Sequence, residues 1–172
     1  MQSVRPVQTK SIKENKMTLT ATAIFVDNIE VSKEFYVDAL KQKIVMESEG
    51  AYVAFESGLA IWKTQMATET IFGAAQKFNG QSFEICFETE TIEDDFKKLT
   101  EFGAGVISKI EPQPWGQMAF RVFDPDGHII EVAEPLSHTV ERLLDSGYDH
   151  EQVSQMTHIP LEMVKQFSAD IN

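Results

Sequence analysis

A glutamate interrupts an otherwise apolar strand pattern in DPDGHIIEVAEP (124–135), where Glu131 shares a face with Ile129 and Ala133. A second stretch, SFEICFET (82–89), alternates as sharply, with Phe83, Ile85 and Phe87 on one side and Glu84, Cys86 and Glu88 on the other. A carboxylate in such a setting binds a metal or substrate, lies at an exposed edge, or is solvated in an open cleft. Two carboxylates in one partly apolar cleft repel each other. That raises one pKa and equips the pair for general acid–base work such as an isomerisation. Cys86 has no evident His or Lys partner, so a nucleophilic role is not expected of it. The histidines do not join the acids. His128 is an odd separation from Glu131 and takes the opposite strand face, while His138, His150 and His158 follow later.

The elements that must position these acids occur twice. TLTATAIFV (18–26) reads as a strand, and IEVSKEFYVDAL as a helix with Val31, Phe35 and Ala39 at helical spacing. KIVMESE, AYVAFES and LAIWKT follow as three strands, broken by Gly50 and by Ser57-Gly58. A linker, QMATETIFGAAQKFNGQ, with one helical turn around Ile71 and Phe72, leads to the second round. There SFEICFET is a strand, TIEDDFKKLTEFG a helix with Ile92, Phe96 and Leu99 on one face, and GVISKIEPQ, QMAFRVF and HIIEVAE three strands. Ile29-Glu30 and Ile92-Glu93 open the two helices 63 residues apart. The expected class is α+β: paired βαβββ modules, about 18–63 and 82–135, forming a curved mixed sheet with a cleft.

This arrangement resembles the vicinal oxygen chelate superfamily, which includes glyoxalase I, extradiol dioxygenases and bleomycin-resistance proteins. The resemblance rests on FVDNIEVSKEFY (25–36), FEICFETETIEDDFKKLTEFGA (83–104) and PWGQMAFRVFDPDGHIIEV (114–132). It implies ligands for a divalent metal on the first and last strands of each module, at Glu131, Glu84, Ala21 and about Ile61, or Trp62 after a slip of one. Ala21, Ile61 and Trp62 cannot coordinate. Glu84 and Glu131 alone would hold Zn, Ni, Mn or Fe weakly, if at all.

With the apolar face of 82–89 against its helix, Glu84 and Cys86 point into the cleft, joined by Ala21, Ala23 and Phe25 from the first strand. If DPDG is a four-residue hairpin loop, Phe123 pairs with His128, which puts Met118, Phe120 and Val122 on Glu131's face and turns Arg121 away. A slip of one residue reverses this. Trp115 is expected at the mouth. The expected ligand pocket is therefore Ala21, Phe25, Ile61, Trp62, Cys86, Trp115, Met118 and Phe120, suited to a small, partly apolar molecule, including an amine.

The formal net charge of −12 over 172 residues argues against a nucleic-acid surface, and no apolar run is long enough for a membrane span. One cysteine fits a reducing cytoplasm. Residues 1–17 read as a disordered leader, and 136–172 as a helical extension. EQVSQMTHIPLEMVKQF resembles a helix-turn-helix, but six acids against two bases in the extension disfavour DNA and favour packing on its own domain or a partner. Two functions stay open: a metal-independent small-molecule-binding protein, expected as a homodimer, or a glyoxalase-like lyase or isomerase using Glu84 and Glu131.

Overall fold

The computed structural model describes residues 19–74 and 82–170; the expected leader lies outside them. Two modules of one design make up residues 22–63 and 84–133. In the first, β1 (Thr22–Val26) leads into α1 (Ile29–Glu34), then β2 (Ile44–Ser48), β3 (Tyr52–Phe55) and β4 (Leu59–Lys63). The second repeats this with β5 (Glu84–Glu88), α3 (Ile92–Glu101), β6 (Gly105–Pro112), β7 (Met118–Phe123) and β8 (Ile129–Ala133). The sheets have equivalent orders, β1-β4-β3-β2 and β5-β8-β7-β6, and in each the first and last strands pair in parallel across the helix. They are two four-stranded sheets, and β1 and β5 each stand at an edge.

Local chemistry explains the helices. The side chain of Asn28 caps α1 by accepting from the amides of Glu30 (3.2 Å) and Val31 (3.3 Å). Glu93, Asp94 and Asp95 place negative charge on the positive end of α3. After Glu34 the first helix widens into a π-helical turn, Phe35–Ala39, in which the Leu40 amide reaches the carbonyl of Phe35 (3.2 Å). The inward face is therefore Ile29, Ser32, Phe35, Tyr36 and Ala39, while Val31, expected on that face, is exposed. The linker holds more helix than one turn: α2 (Thr64–Phe72) buries Ala67 and Thr68 and ends at Gly73, whose left-handed backbone (φ 71°) suits glycine.

Both sheets turn their apolar faces to one core. Ile24, Val26, Val53, Phe55 and Ile61 from the first sheet share it with Phe120, Val122, Ile130 and Val132 from the second, with helical residues Phe35, Tyr36 and Leu99 between them. The opposite faces of the two sheets consequently point away from this core. A polar clamp joins the modules where DPDG meets the first helix. Asp126 accepts from the Asp27 amide (2.7 Å) and the Ser32 hydroxyl (2.6 Å), and buried Asp124 accepts from the Tyr36 hydroxyl (2.9 Å). The His128 ring (Nδ1) lies 2.9 Å from the same Asp124 oxygen, which gives this histidine a structural place away from Glu131.

After β8 come α4 (Leu136–Asp145), α5 (His150–Thr157) and α6 (Leu161–Asp170), whose Val140, Leu143, Val153 and Val164 form a second apolar cluster with Ile159 from the α5–α6 connection. Among the described residues no helix is long and apolar enough to cross a membrane.

Candidate functional site

The outward face of the second sheet collects the acids. In the β5–β8 register Cys86 stands beside Glu131, and in the β7–β8 register Arg121 stands on Glu131's other side. Ligand atoms of Glu84, Cys86 and Glu131 lie within 4.8 Å of one another. Glu131 is buried, although Glu84 and Cys86 are exposed.

The register corrects one expectation. Phe123 pairs with Ile129 rather than His128. The reason is Asp124, whose Oδ1 accepts from the amides of Asp126 (2.9 Å) and His128 (2.8 Å), so the side chain builds the turn and adds a residue to it. Every side chain on β7 therefore changes face relative to the four-residue loop. Arg121 enters the site, while Phe120 is fully buried in the core and Met118 packs against it.

Arg121 governs the electrostatics. Its Nε donates to Glu84 (2.9 Å), Nη1 to the Gln113 side chain (3.0 Å), and Nη2 to Glu131. Burial opposes the guanidinium charge, yet the bonds and fields of the two carboxylates outweigh it and hold Arg121 above its ordinary pKa. The Cys86 thiol is pushed up to about 11, first by burial and then by Glu131 and Glu84. A divalent ion would have to displace a guanidinium bonded to both acids and strip a proton from a reluctant thiol. The residues present therefore do not fit a metal centre, and the mutual repulsion expected of the two acids is offset by a shared counter-charge.

The first module offers no ligand either. The strand position equivalent to Glu131, on the outward face opposite Ala23, is Ala60; Ile61 is turned into the core. Ala21 is exposed just before β1. This outward face is instead aromatic, with Trp62 edge-on to Phe25 (6.2 Å between centroids) and to Tyr52 (6.1 Å). Trp115 sits half-buried in the β6–β7 loop, where its indole N–H donates to Gln117 (3.0 Å). Arg121 and Gln113 are the site residues that sequence pattern missed; the unresolved one-residue slip at DPDG was the signal for Arg121. A separate groove of about 510 Å³ lies between α1 and β2, but Lys33 there is already paired with Glu30 (2.6 Å) and Glu47 (2.8 Å), and no cluster of convergent groups faces it.

A family model described as a glyoxalase-like domain matches residues 19–137, so α5 and α6 lie beyond the match. A protein of unknown function from Agrobacterium tumefaciens str. C58 is 34% identical over 72% of this chain and 98% of its own, with a TM-score of 0.65. A glyoxalase-related enzyme from Fulvimarina pelagi is 21% identical over 71% of this chain and 91% of its own (TM-score 0.63). A lactoylglutathione lyase from Agrobacterium tumefaciens is 18% identical over 70% and 96% (TM-score 0.55). The last two share the fold alone. No curated protein matches the chain.

Proposed function

Because the chain belongs to the glyoxalase-like domain family of the vicinal oxygen chelate superfamily, we propose that the outward face of its second sheet binds a small, partly apolar, amine-bearing molecule without a metal ion. The observation that carries this is Arg121, which bonds Glu84 and Glu131 together and leaves the trio at a net charge of −1. That residual charge favours a monocation. An apolar body would need a second wall, and Phe25, Trp62 and Tyr52 have the aromatic faces to supply it.

Those aromatics lie on the other module, on a face pointing away from the common core. A homodimer that set β1 of one copy beside β5 of the next would bring the aromatic face of one protomer opposite the acids of its partner, and both strands stand at sheet edges. A reducing cytoplasm remains the setting that one free cysteine suits.

The test is a melting-temperature panel of apolar primary amines against their alcohol and carboxylate isosteres, with added Zn, Ni, Mn or Fe as separate arms. Amines should stabilise the protein, and Glu131→Gln and Trp62→Ala should each weaken the effect. Carboxylates binding better than amines would overturn the reading. The competing reading, a lyase or isomerase using Glu84 and Glu131, is favoured by the closeness of Glu84, Cys86 and Glu131. It requires Arg121 to release a carboxylate to the substrate, and turnover abolished by Glu131→Gln would move it ahead.

A further inference from the structure

The three C-terminal helices have their own apolar cluster, and α4 is also bonded to the domain at Glu134 and Gly116. Glu134, just after β8, directs Oε1 at the Met118 amide (3.0 Å), the Thr139 hydroxyl (2.8 Å) and Arg142 Nη2 (2.6 Å). Arg142 Nη2 also donates to the Gly116 carbonyl (2.7 Å). A Cβ built on Gly116 would meet Leu143 at 3.5 Å and Thr139 at 4.0 Å, so α4 lies directly on the β6–β7 loop. This loop is tied within itself. Gly116 donates to the Gln113 carbonyl (2.8 Å), the Gln113 amide to the Gln117 carbonyl (2.8 Å), and the Gln117 side chain to the Glu134 carbonyl (2.7 Å). Its other side is the Gln113 side chain, which takes a bond from Arg121.

We propose that α4 positions the acid cluster: Arg142, acting through the 113–117 loop and the Gln113 side chain, fixes the plane of the Arg121 guanidinium between Glu84 and Glu131. The geometry gives the reason. A guanidinium is planar and rigid, and three acceptors on three separate elements define its orientation. Two of them, Glu84 on β5 and Glu131 on β8, are held by the sheet. The third, Gln113, is held by a loop whose internal bonds fix its shape, while its placement against the sheet depends on what packs on it. In this chain α4 packs on it. Arg142 is thus a positioning residue, separated from Arg121 by two residues, Gly116 and Gln113. Its functional meaning rests on the proposed binding site, but the coupling itself does not need the ligand.

The sequence has three arginines, Arg5, Arg121 and Arg142. The Nε–H signal of Arg121 can therefore be assigned in a nitrogen-labelled full-length protein by its loss in Arg121→Lys. We expect a slowly exchanging, ordered Nε–H in the wild type. In Gln113→Ala and in Arg142→Ala its exchange with water should rise about three- to tenfold, as the guanidinium loses one of its three anchors. Arg142→Lys, which keeps a donor for Glu134 and Gly116, should stay near the wild type. The double variant Gln113→Ala/Arg142→Ala should exchange no faster than Gln113→Ala alone, because both act on one path.

An unchanged Arg121 signal in Arg142→Ala would overturn the proposal, whatever happens to the melting temperature, and so would additive effects in the double variant. Should Arg142→Ala fail to fold, Thr139→Val removes one donor to Glu134 while keeping the side-chain shape, and a smaller rise in exchange is expected. No rise there would also overturn the proposal. Failure of every amine to bind would leave these results standing, so the two proposals fail separately.

Discussion

Replacing Arg121 by Met keeps much of the side-chain length and removes the charge that Glu84 and Glu131 share. Glu131 has only 10% of its side chain exposed, and Arg121 21%. Breaking a buried pair by deleting one partner costs about 3–5 kcal/mol, and the partial exposure of Arg121 brings this to about 2–3 kcal/mol. The two acids, with oxygens no more than 4.8 Å apart, would then face each other. At an effective dielectric of about 20 their repulsion is about 3.5 kcal/mol. Glu84 has 39% of its side chain exposed, so screening reduces this by half or more, and the repulsion that is left disfavours ionising both acids of the folded variant together. The sign follows from linkage: a carboxyl raised in the folded variant penalises stability above its folded pKa, and the penalty disappears below its unfolded value. The melting temperature of Arg121→Met should therefore fall about 5–10 °C below wild type at pH 8, with the gap narrowing as pH drops towards 4.5. The same variant should gain weak zinc or nickel binding, with a dissociation constant of roughly 0.1–1 mM, because Glu84, Cys86 and Glu131 are freed to converge on an ion. Calorimetric melting from pH 4.5 to 8 and a metal titration of both proteins measure all of this. A gap that is constant with pH, or equal metal binding by the wild type, would refute the idea that Arg121 occupies the cation position.

Three further outcomes are expected. Cys86 is exposed, so protonation rather than access should limit its reaction: with its thiol pushed up to about 11, alkylation at pH 8 should run roughly 10- to 100-fold slower than in urea-unfolded protein, and equal rates would contradict the burial argument. Tyr36→Phe removes a donor from buried Asp124 and should cost about 1–3 kcal/mol in urea melts. Because burial and then Asp124 raise the Tyr36 pKa, its stabilisation should be complete below about pH 10 and decline above it, a decline the variant should lack. At Glu134, burial is outweighed by bonds from Arg142, Met118 and Thr139, and its pKa is lowered. That contribution is present above about pH 4.5 and is lost as pH falls through the folded value; Trp115 fluorescence should report the loosening of α4, and an unchanged acid transition in Glu134→Gln would assign it elsewhere.

The repeated βαβββ pattern was legible because each element advertises itself locally: alternation in Phe83 to Glu88, the Ile92, Phe96 and Leu99 stripe, glycines where strands end. The acids were legible for the same reason, as charges breaking an apolar period. What pattern alone could not resolve was parity. A hairpin loop one residue longer than its turn motif suggests reverses the facing of every residue before it, and the extra residue came from Asp124 bonding backbone amides, a side-chain act with no periodic trace. Arg121, Phe120 and Met118 all depended on that one residue. On β4, the resemblance put a ligand at about Ile61, whereas the sheet register matches Ala60 to Glu131; the 63-residue offset that relates Ala23 to Cys86 does not hold on the last strands. Helix α1 showed a similar limit: its spacing suggested Val31 inside, while the π turn let two successive residues, Phe35 and Tyr36, both face inward.

The clamp at DPDG also sets an order of events in time. Its bonds join residues 88 to 99 positions apart in the chain, among the longest loops this domain has to close. Contacts of such separation form late, since the entropy of closing the loop is lost before they return anything. The first module, though made first, holds Phe35 and Tyr36 against residues that have yet to arrive from β7 and β8. It cannot complete its core while the chain is being synthesised through residue 123. A fragment ending at β4 should accordingly behave as an aggregation-prone intermediate rather than a half-sized domain, and the two modules, so alike in plan, fold as one cooperative unit.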